Sequence, residues 1–290
     1  MRSVSPCNRA RTWPVSAAYC SALEPVRGDD VNMSRSVAAA PNGPDGLDAL
    51  PRDGLGFRLR GLQASRLETF VDAAFAFAVT LLVVSFDAMP ASVPELHDAL
   101  RRAPAFLAGF AILAMFWVTH HRFSRRTGLL DARVTLLGLA LIAVALLYVY
   151  PLRLITGIAL HFVTAGWAPL PMSVDAGAGG FRSLYVIYGL GFGAMCSILW
   201  LLNRHALARA DALALDAVER CVLEQEAGAM AWLLIPTVAS IVLALAPLPA
   251  GTVWQGMPGI VYCSLAVLMP WYAVRSERAL ARARAAESAP

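Results

Sequence analysis

Six long apolar runs constrain the fold of this chain more than any other feature of its sequence. The hydrocarbon core of a bilayer is roughly 30 Å thick and is crossed by about 20 helical residues, with a range near 17–25. Each run approaches or reaches that length. We therefore predict an all-α polytopic membrane protein with six transmembrane helices. The predicted spans are Phe70–Met89, Pro104–Thr119, Val134–Leu154, Ser183–Leu202, Ala227–Ala246 and Gly256–Val274.

The composition agrees with this assignment. Hydrophobic residues make up 58% of the chain and charged residues 15%, whereas soluble domains average about 45–50% and about 25%. The net charge of +4 does not indicate nucleic-acid binding, because the arginines cluster in the connections between apolar runs. The five cysteines are scattered without a CxxC pair, so no disulfide framework or thiolate metal site is predicted. No hydrolase, nucleotide-binding or metalloprotease motif is present, and we predict that the protein is not an enzyme.

The arginines predict the orientation in the membrane. Fifteen lie between residue 52 and the first span or after the second, fourth and sixth spans, four lie in the remaining connections, and the other five lie before residue 36. Positive residues are enriched on the cytoplasmic side, so both termini are predicted to be cytoplasmic, with an even number of spans. We divide the chain into a disordered extension (residues 1–56), a six-helix membrane domain (residues 57–276) and a cytoplasmic tail (residues 277–290).

The first span begins with two charges six residues apart, Arg66 and Asp72. A carboxylate one turn inside such a helix is unfavourable in lipid, so it should face protein or water and have a partner. The second span runs antiparallel to the first and ends with Trp117, His120 and His121 at about the same depth. We predict a polar network of Arg66, Asp72, Trp117 and His120 that holds the two helices together.

Helical periodicity places Phe77, Leu81 and Val84 on one face of the first span, with Thr80 beside them. If several copies of this helix met at an axis, these residues would form narrow apolar rings. Such constrictions gate ion pores by dewetting, and a layer of hydroxyl groups can coordinate a cation. The same stripe is also typical of ordinary helix packing.

The adjacent histidines His120 and His121 raise the alternative of a metal or haem site. Neighbouring side chains on a helix point about 100° apart, which makes a poor pair of ligands for one metal. A structural role at the helix interface is the preferred interpretation.

Two motifs resemble the hallmarks of one known family. Arg66-xxx-Phe70-Val71-Asp72, followed by Thr80-Leu81-Leu82, resembles the RxxxFSD signature of the transmembrane protein 175 family, which comprises endolysosomal potassium channels and their prokaryotic relatives. Trp117-xx-His120-His121-Arg122-x-Phe123 resembles the WxxHHRxF end of that family's second helix. The two motifs occur in the same order, one helix apart, and the resemblance extends from residue 66 to about residue 155.

The resemblance implies a potassium-permeable cation channel of the bacterial inner membrane. It implies six helices per subunit, a homotetramer, and a pore lined by the first helix of each subunit. The expected partners are further copies of the chain, the lipid bilayer and potassium ions, with no cofactor and no nucleic acid. Carried over by residue, the pore constriction falls on Phe77, Leu81 and Val84, the ion-selectivity layer on Thr80, and the structural network on Arg66, Asp72, Trp117 and His120.

Three features depart from the family pattern, one of which is that the asparagine common in the family's third helix has no equivalent in Val134–Tyr150. Val71 replaces the signature serine, and Phe77 stands where an aliphatic residue is usual. The alternative function is a proton-coupled secondary transporter in which Asp72 and His120 form a proton relay. That alternative predicts a second charge inside another span, whereas the third to sixth spans carry only Arg153, at a helix end.

Overall fold

A computed structural model describes residues 50–84, 91–170, 178–246 and 252–287. In these residues the fold is all-α, as predicted, and β pairing is limited to an isolated bridge between Arg52 and Arg58. A short 3₁₀ helix, Val261–Ser264, connects the last two helices. The helices are α1 (Arg66–Val84), α2 (Val93–Thr127), α3 (Ala132–Val163), α4 (Ala178–Ala208), α5 (Ala217–Leu245), α6 (Thr252–Ile260) and α7 (Leu265–Glu287).

The helices form a bundle in which α3, α4 and α5 pack on their neighbours in the chain, while α1 and α7 pack mainly on helices two places away. Helix α1 lies against α2 and α3, α3 packs on α4, α4 packs extensively on α5, and α7 packs on α5 and the 3₁₀ helix. The apolar core runs through the middle of this order. Its largest fully buried side chains include Phe116 on α2, Leu141 and Tyr148 on α3, and Met195 and Leu199 on α4.

Two glycines permit the close approach of α4 and α5. A Cβ atom on Gly189 would lie 2.7 Å from the side chain of Ile241, and one on Gly193 would lie 3.3 Å from the methyl group of Thr237. Small residues at four-residue spacing let helix backbones approach in membranes, where packing rather than water exclusion drives association. The Gly189-xxx-Gly193 pattern therefore serves helix packing.

Local sequence signals set several helix starts. Ser92 caps α2, Asp131 caps α3 and Asp216 caps α5, each accepting a hydrogen bond from a backbone N–H in the first turn. In α5 this becomes a full capping box, because the side chain of Glu219 accepts a bond from the backbone N–H of Asp216. Helix α2 ends at Gly128, whose φ of 60° is left-handed and favours glycine.

Two helices are longer than the apolar runs predict. Helix α2 begins at Val93, before the predicted start of its span at Pro104, so the polar segment 93–102 belongs to it. Helix α3 passes through Pro151 and ends at Val163, which corrects the predicted end of its span at Leu154. Proline is tolerated within membrane helices because neighbouring groups compensate for the lost backbone bond.

Five helical segments of the described chain are long and apolar enough to cross a membrane. Four of them are α2, α3, α5 and most of α4, and the fifth, Gly256–Ala286, combines the 3₁₀ helix with parts of α6 and α7. Helix α1 is described only to Val84, and the predicted continuation of its span to Met89 lies outside the described residues. The count of six spans stays a prediction.

The segment before α1 is folded against one end of the bundle. Phe57 is fully buried, and the guanidinium groups of Arg60 and Arg126 lie 5.5 and 5.6 Å from the centre of its ring. Arg126 also donates to Asp53 at 2.9 Å and to Glu226 on α5 at 2.8 Å. The folded chain therefore begins at least as early as residue 50, although the sequence assigns residues 50–56 to a disordered extension. Residues 1–49 of that extension lie outside the described residues.

The best-buried charge at this end is Glu219, whose side chain is fully buried. It accepts hydrogen bonds from the Arg58 backbone at 2.9 Å and from the two guanidinium nitrogens of Arg60 at 3.0 and 2.8 Å. Burial opposes the charge on Arg58, but Glu219 and Asp216 outweigh it and raise the pKa of that guanidinium. We call this group of paired charges the ionic layer. It consists of Asp53, Arg58, Arg60, Arg126, Asp216, Glu219 and Glu226.

Candidate functional site

Helix α1 has one buried face and one exposed face. Val71, Phe75, Ala78 and Leu82 recur every three or four residues and are almost fully buried against the rest of the subunit. The opposite face is accessible along the whole described helix, and after Arg66 it carries no charge. Its exposed residues are Arg66, Thr69, Phe70, Ala73, Ala76, Phe77, Thr80 and Val83.

The predicted constriction residues fall on or beside this exposed face. Phe77 is 55% exposed. Thr80 is exposed, and its hydroxyl donates to the carbonyl of Ala76 at 3.0 Å, which leaves oxygen lone pairs available on the exposed side. Leu81 lies at the edge of the face and packs partly against the apolar core. The backbone of Val84 ends α1, and its side chain lies outside the described residues.

Two of the four residues of the predicted polar network, Asp72 and Trp117, are in contact. The indole nitrogen of Trp117 donates to a carboxylate oxygen of Asp72 at 2.8 Å and joins α2 to α1. The Trp117 ring in turn stacks on the ring of His121, with centroids 5.5 Å apart and planes inclined by 24°. The carboxylate of Asp72 thus has the partner that its position in an apolar helix requires.

The other two predicted members of the network do not join it. Arg66 is exposed, and in the part of the chain that the structure describes its side chain makes no hydrogen bond or ion pair with Asp72. His120 is 1% exposed, and neither of its ring nitrogens has a hydrogen-bond partner among the described residues. The structure therefore unites Asp72 with Trp117, and it places His120 in the interior of the bundle.

Glu68 is a further member of this region that the sequence reasoning missed. Its side chain is buried at the start of α1 and lies 3.3 Å from the Nδ1 atom of His121. Its backbone N–H donates to the hydroxyl of Ser65 at 3.1 Å. The pattern Ser65-x-x-Glu68 is the sequence signature of a capping box and was the available signal.

The two neighbouring histidines occupy different environments. His121 is partly exposed and faces Trp117 and Glu68, whereas His120 is buried. Among the described residues, no cluster of three or more His, Cys, Asp or Glu side chains is arranged to hold a metal ion. The geometry fits a contact between α1 and α2, with each histidine on its own side of the helix.

Val71, at the position of the signature serine, is fully buried on the inner face of α1. A valine there adds apolar packing, and it supplies no hydroxyl to the Asp72–Trp117 pair. The departure from the family pattern therefore changes the interior of the subunit and leaves the exposed face of α1 unaltered.

Comparison with known proteins agrees with both motifs. The family described as endosomal/lysosomal potassium channel TMEM175 matches residues 66–149. A protein of Marivirga tractuosa named "Potassium channel" is 31% identical over 171 residues, which cover 56% of this chain and 67% of the relative. The fold is similar to that of the potassium channel MtTMEM175 in the crystal structure of its T38A variant with a nanobody–MBP fusion. The comparison with that structure gives a TM-score of 0.67 and 24% identity, and it covers 79% of this chain and 100% of the MtTMEM175 chain. On these grounds, this chain belongs to the TMEM175 family.

Proposed function

We propose that this protein is a potassium-permeable cation channel whose pore is lined by the exposed face of α1. The observation that carries the proposal is the division of α1 into a face packed within the subunit and an accessible face without charges beyond Arg66. In a membrane such a face is covered by lipid, by further copies of the chain or by pore water, and the match of this helix to the family's first motif favours the pore. The proposal also requires that the protein conduct ions, and membership of a family of potassium channels supports this.

In the proposed homotetramer, four α1 helices surround an axis in the bacterial inner membrane, with six spans per subunit and both termini in the cytoplasm. Phe77, Leu81 and Val84 form the constriction, where apolar rings exclude water and hold the pore closed. Thr80 supplies an oxygen layer for a partly dehydrated potassium ion. The pair of Asp72 and Trp117 holds α1 in register against α2 and does not contact ions.

The constriction is tested by potassium flux into liposomes that contain the purified protein. We expect Phe77→Ala and Leu81→Ala to raise the flux severalfold, because smaller side chains widen and wet the constriction. Ile235→Ala is the matched control, since Ile235 is an exposed apolar residue of α5. Absence of flux in the wild type together with no response to either variant would refute the proposal.

The selectivity layer is tested by comparing Thr80→Ser with Thr80→Ala. The serine variant keeps the hydroxyl and should preserve the preference for potassium over sodium, whereas the alanine variant should reduce it. The measurement is the reversal potential under bi-ionic conditions. Equal preference in the two variants would remove Thr80 from the proposed filter.

Subunit number is tested separately from conduction. A cysteine introduced at Phe77 should crosslink between subunits in a background where the exposed Cys263 is replaced by serine. The native mass in detergent should correspond to four chains. A monomeric mass would contradict the proposed pore.

A proton-coupled transporter built on Asp72 and His120 has less support. Asp72 is bonded to Trp117, and His120 has no hydrogen-bond partner among the described residues that would continue a relay. Transport that saturates with substrate and depends on pH through Asp72 would favour the transporter over the channel.

A further inference from the structure

One face of α7 changes from apolar to basic along its length. Val267, Trp271 and Val274 lie on this face and are 72%, 48% and 47% exposed. Arg275, Arg278 and Arg282 continue the same face toward the end of the chain, and all three are exposed. Helical spacing of three, four and seven residues keeps these side chains in line.

The basic half of this face contains an open groove of about 530 Å³. The guanidinium of Arg275 lies 5.7 Å from the centre of the Trp271 ring, within the range of a cation–π contact. The groove is lined by Trp271, Val274, Arg275, Arg278, Ala279 and Arg282.

The three arginines differ from those of the ionic layer. Arg58, Arg60 and Arg126 each lie within 3.2 Å of a carboxylate oxygen. In the described ranges no ion pair joins Arg275, Arg278 or Arg282 to a carboxylate, and Glu277 lies about 100° around the helix from Arg278. The face thus presents three positive charges that the subunit itself does not neutralise.

The position of α7 leaves this face accessible to lipid. Helix α7 packs on α5 and the 3₁₀ helix, while α1 packs on α2 and α3. Of the five apolar segments, the one containing α7 is the least buried within the subunit, because only 6% of its most apolar 18-residue stretch is buried. A tetramer assembled around α1 would therefore carry α7 at its perimeter.

We propose that this face binds the headgroup of an anionic phospholipid. The arginines contact the phosphodiester, for which the planar guanidinium is well suited. Trp271 lies at the level of the headgroup, where amphipathic aromatic rings are enriched. An acyl chain follows Trp271 and Val267 into the bilayer, since both lie on the apolar side of the arginines. The continuous apolar track beside the charges favours a lipid over a soluble phosphate, since a free anion would gain nothing from it.

The test uses the intact protein in detergent and measures retained lipid by native mass spectrometry. We expect phosphatidylglycerol to bind more tightly than phosphatidylcholine. Because each basic residue near an anionic surface contributes about 1 kcal/mol, the R278Q/R282Q variant should bind phosphatidylglycerol about thirtyfold more weakly. The matched control is R133Q/R204Q, which removes two exposed arginines from other helices.

Equal binding of the two lipids by the wild type would overturn the proposal, as would an equal loss in the control variant. Competition by glycerol phosphate at the same concentration as the lipid would identify a soluble-anion site and overturn the lipid assignment. If the double variant fails to fold, wild-type binding at 0.5 M ammonium acetate, compared with a low concentration of the same salt, decides the question. Salt screens exposed charges, so binding of phosphatidylglycerol should then fall to the level of phosphatidylcholine. The readout is independent of ion flux, so it stands or falls apart from the channel proposal.

Discussion

The ionic layer and the exposed face of α1 differ in which of their side chains are accessible to the surroundings. In the ionic layer, charged side chains are buried or half-buried and each is paired across the sequence, as Glu219 is with Arg58 and Arg60. On the face of α1, uncharged residues such as Phe77 and Thr80 are exposed. The two regions are joined directly, because the segment that carries Arg58 and Arg60 leads into α1.

The difference separates what holds the subunit together from what remains available for function. Buried paired charges are sensitive to the loss of one partner, since the other is left uncompensated. An exposed apolar face tolerates substitution within the subunit, and its substitutions act on whatever covers it. Stability and conduction should therefore respond to different sets of residues.

The largest effect is expected for Glu219→Ala. It leaves the guanidinium groups of Arg58 and Arg60 without their shared carboxylate and should lower the free energy of unfolding by about 3–5 kcal/mol. The measurement is thermal unfolding in detergent, with Tm determined from tryptophan fluorescence. Glu224→Ala removes an exposed carboxylate one turn further along α5 and is the control. Equal losses in the two variants would show that burial of Glu219 is not what matters.

Two phenylalanines of α1 give the next largest contrast. Phe75 is 4% exposed and Phe77 is 55% exposed, although they are two residues apart. Phe75→Ala should lower the free energy of unfolding by about 3 kcal/mol, the low end of the usual range, because lipid supplies no hydrophobic driving force. Phe77→Ala should lower it by less than about 1 kcal/mol.

When potassium flux is measured, Phe77→Ala should have the larger effect and Phe75→Ala the smaller one. Phe77→Ala changes the proposed constriction, whereas Phe75→Ala acts only on the interior of the subunit. If Phe77→Ala destabilised the protein as much as Phe75→Ala, the outer face of α1 would be a packed surface and not an accessible one.

A smaller effect is expected at the Asp72–Trp117 pair. A double-mutant cycle with Asp72→Ala and Trp117→Phe should give a coupling energy of about 0.6–1.7 kcal/mol, the range found for polar pairs between membrane helices. Asp72→Asn retains a hydrogen-bond acceptor and should preserve most of the stability. A coupling energy near zero would mean that the 2.8 Å bond does not hold α1 in register.

The smallest effect is expected at Asp131, which caps α3 and contacts His205 on α4 at 2.6 Å. Hydrogen bonds from the Val134 backbone and from His205, with the charge of Arg209, lower the pKa of Asp131. Its contribution should be complete above the unfolded pKa of about 3.9 and lost as the pH falls through the lower folded value.

Asp131→Asn keeps the cap and removes the charge, so it should cost about 0.5 kcal/mol at pH 6. Between pH 6 and pH 3, the Tm of the Asp131→Asn variant should also fall by less than the Tm of the wild type. Asp98→Asn, at an exposed position on α2, is the control. A wild-type acid profile unchanged by Asp131→Asn would exclude Asp131 as a source of acid sensitivity.

Local patterns in the sequence predicted much of this architecture. Hydropathy predicted the helices because an apolar run of membrane length leaves few alternatives. The pairing of Asp72 with Trp117 followed from the antiparallel course of two neighbouring helices. Helix α3 differed from its prediction because the cost of Pro151 depends on the surrounding groups and not on the proline alone.

The ionic layer was not predictable in the same way. Arg58 and Glu219 are separated by 161 positions, and no local pattern connects them. Composition assigned residues 50–56 to a disordered segment because they are polar and lack periodicity, yet Asp53 contacts Arg126 in the folded subunit. Charge pairing between distant segments depends on the arrangement of the helix ends, which exists only in the tertiary structure.

The sequence by itself determined that the chain is a bundle of apolar helices, that its arginines gather at alternate connections, and that α1 carries one acidic residue beside an apolar stripe. Only the tertiary structure decided which side of α1 faces outward. Periodicity divides a helix into faces, but burial of Val71, Phe75 and Leu82 against α2 and α3 selects the inner one. The exposure of Phe77 and Thr80 follows from that choice, because the two faces of one helix cannot both pack against the same neighbours.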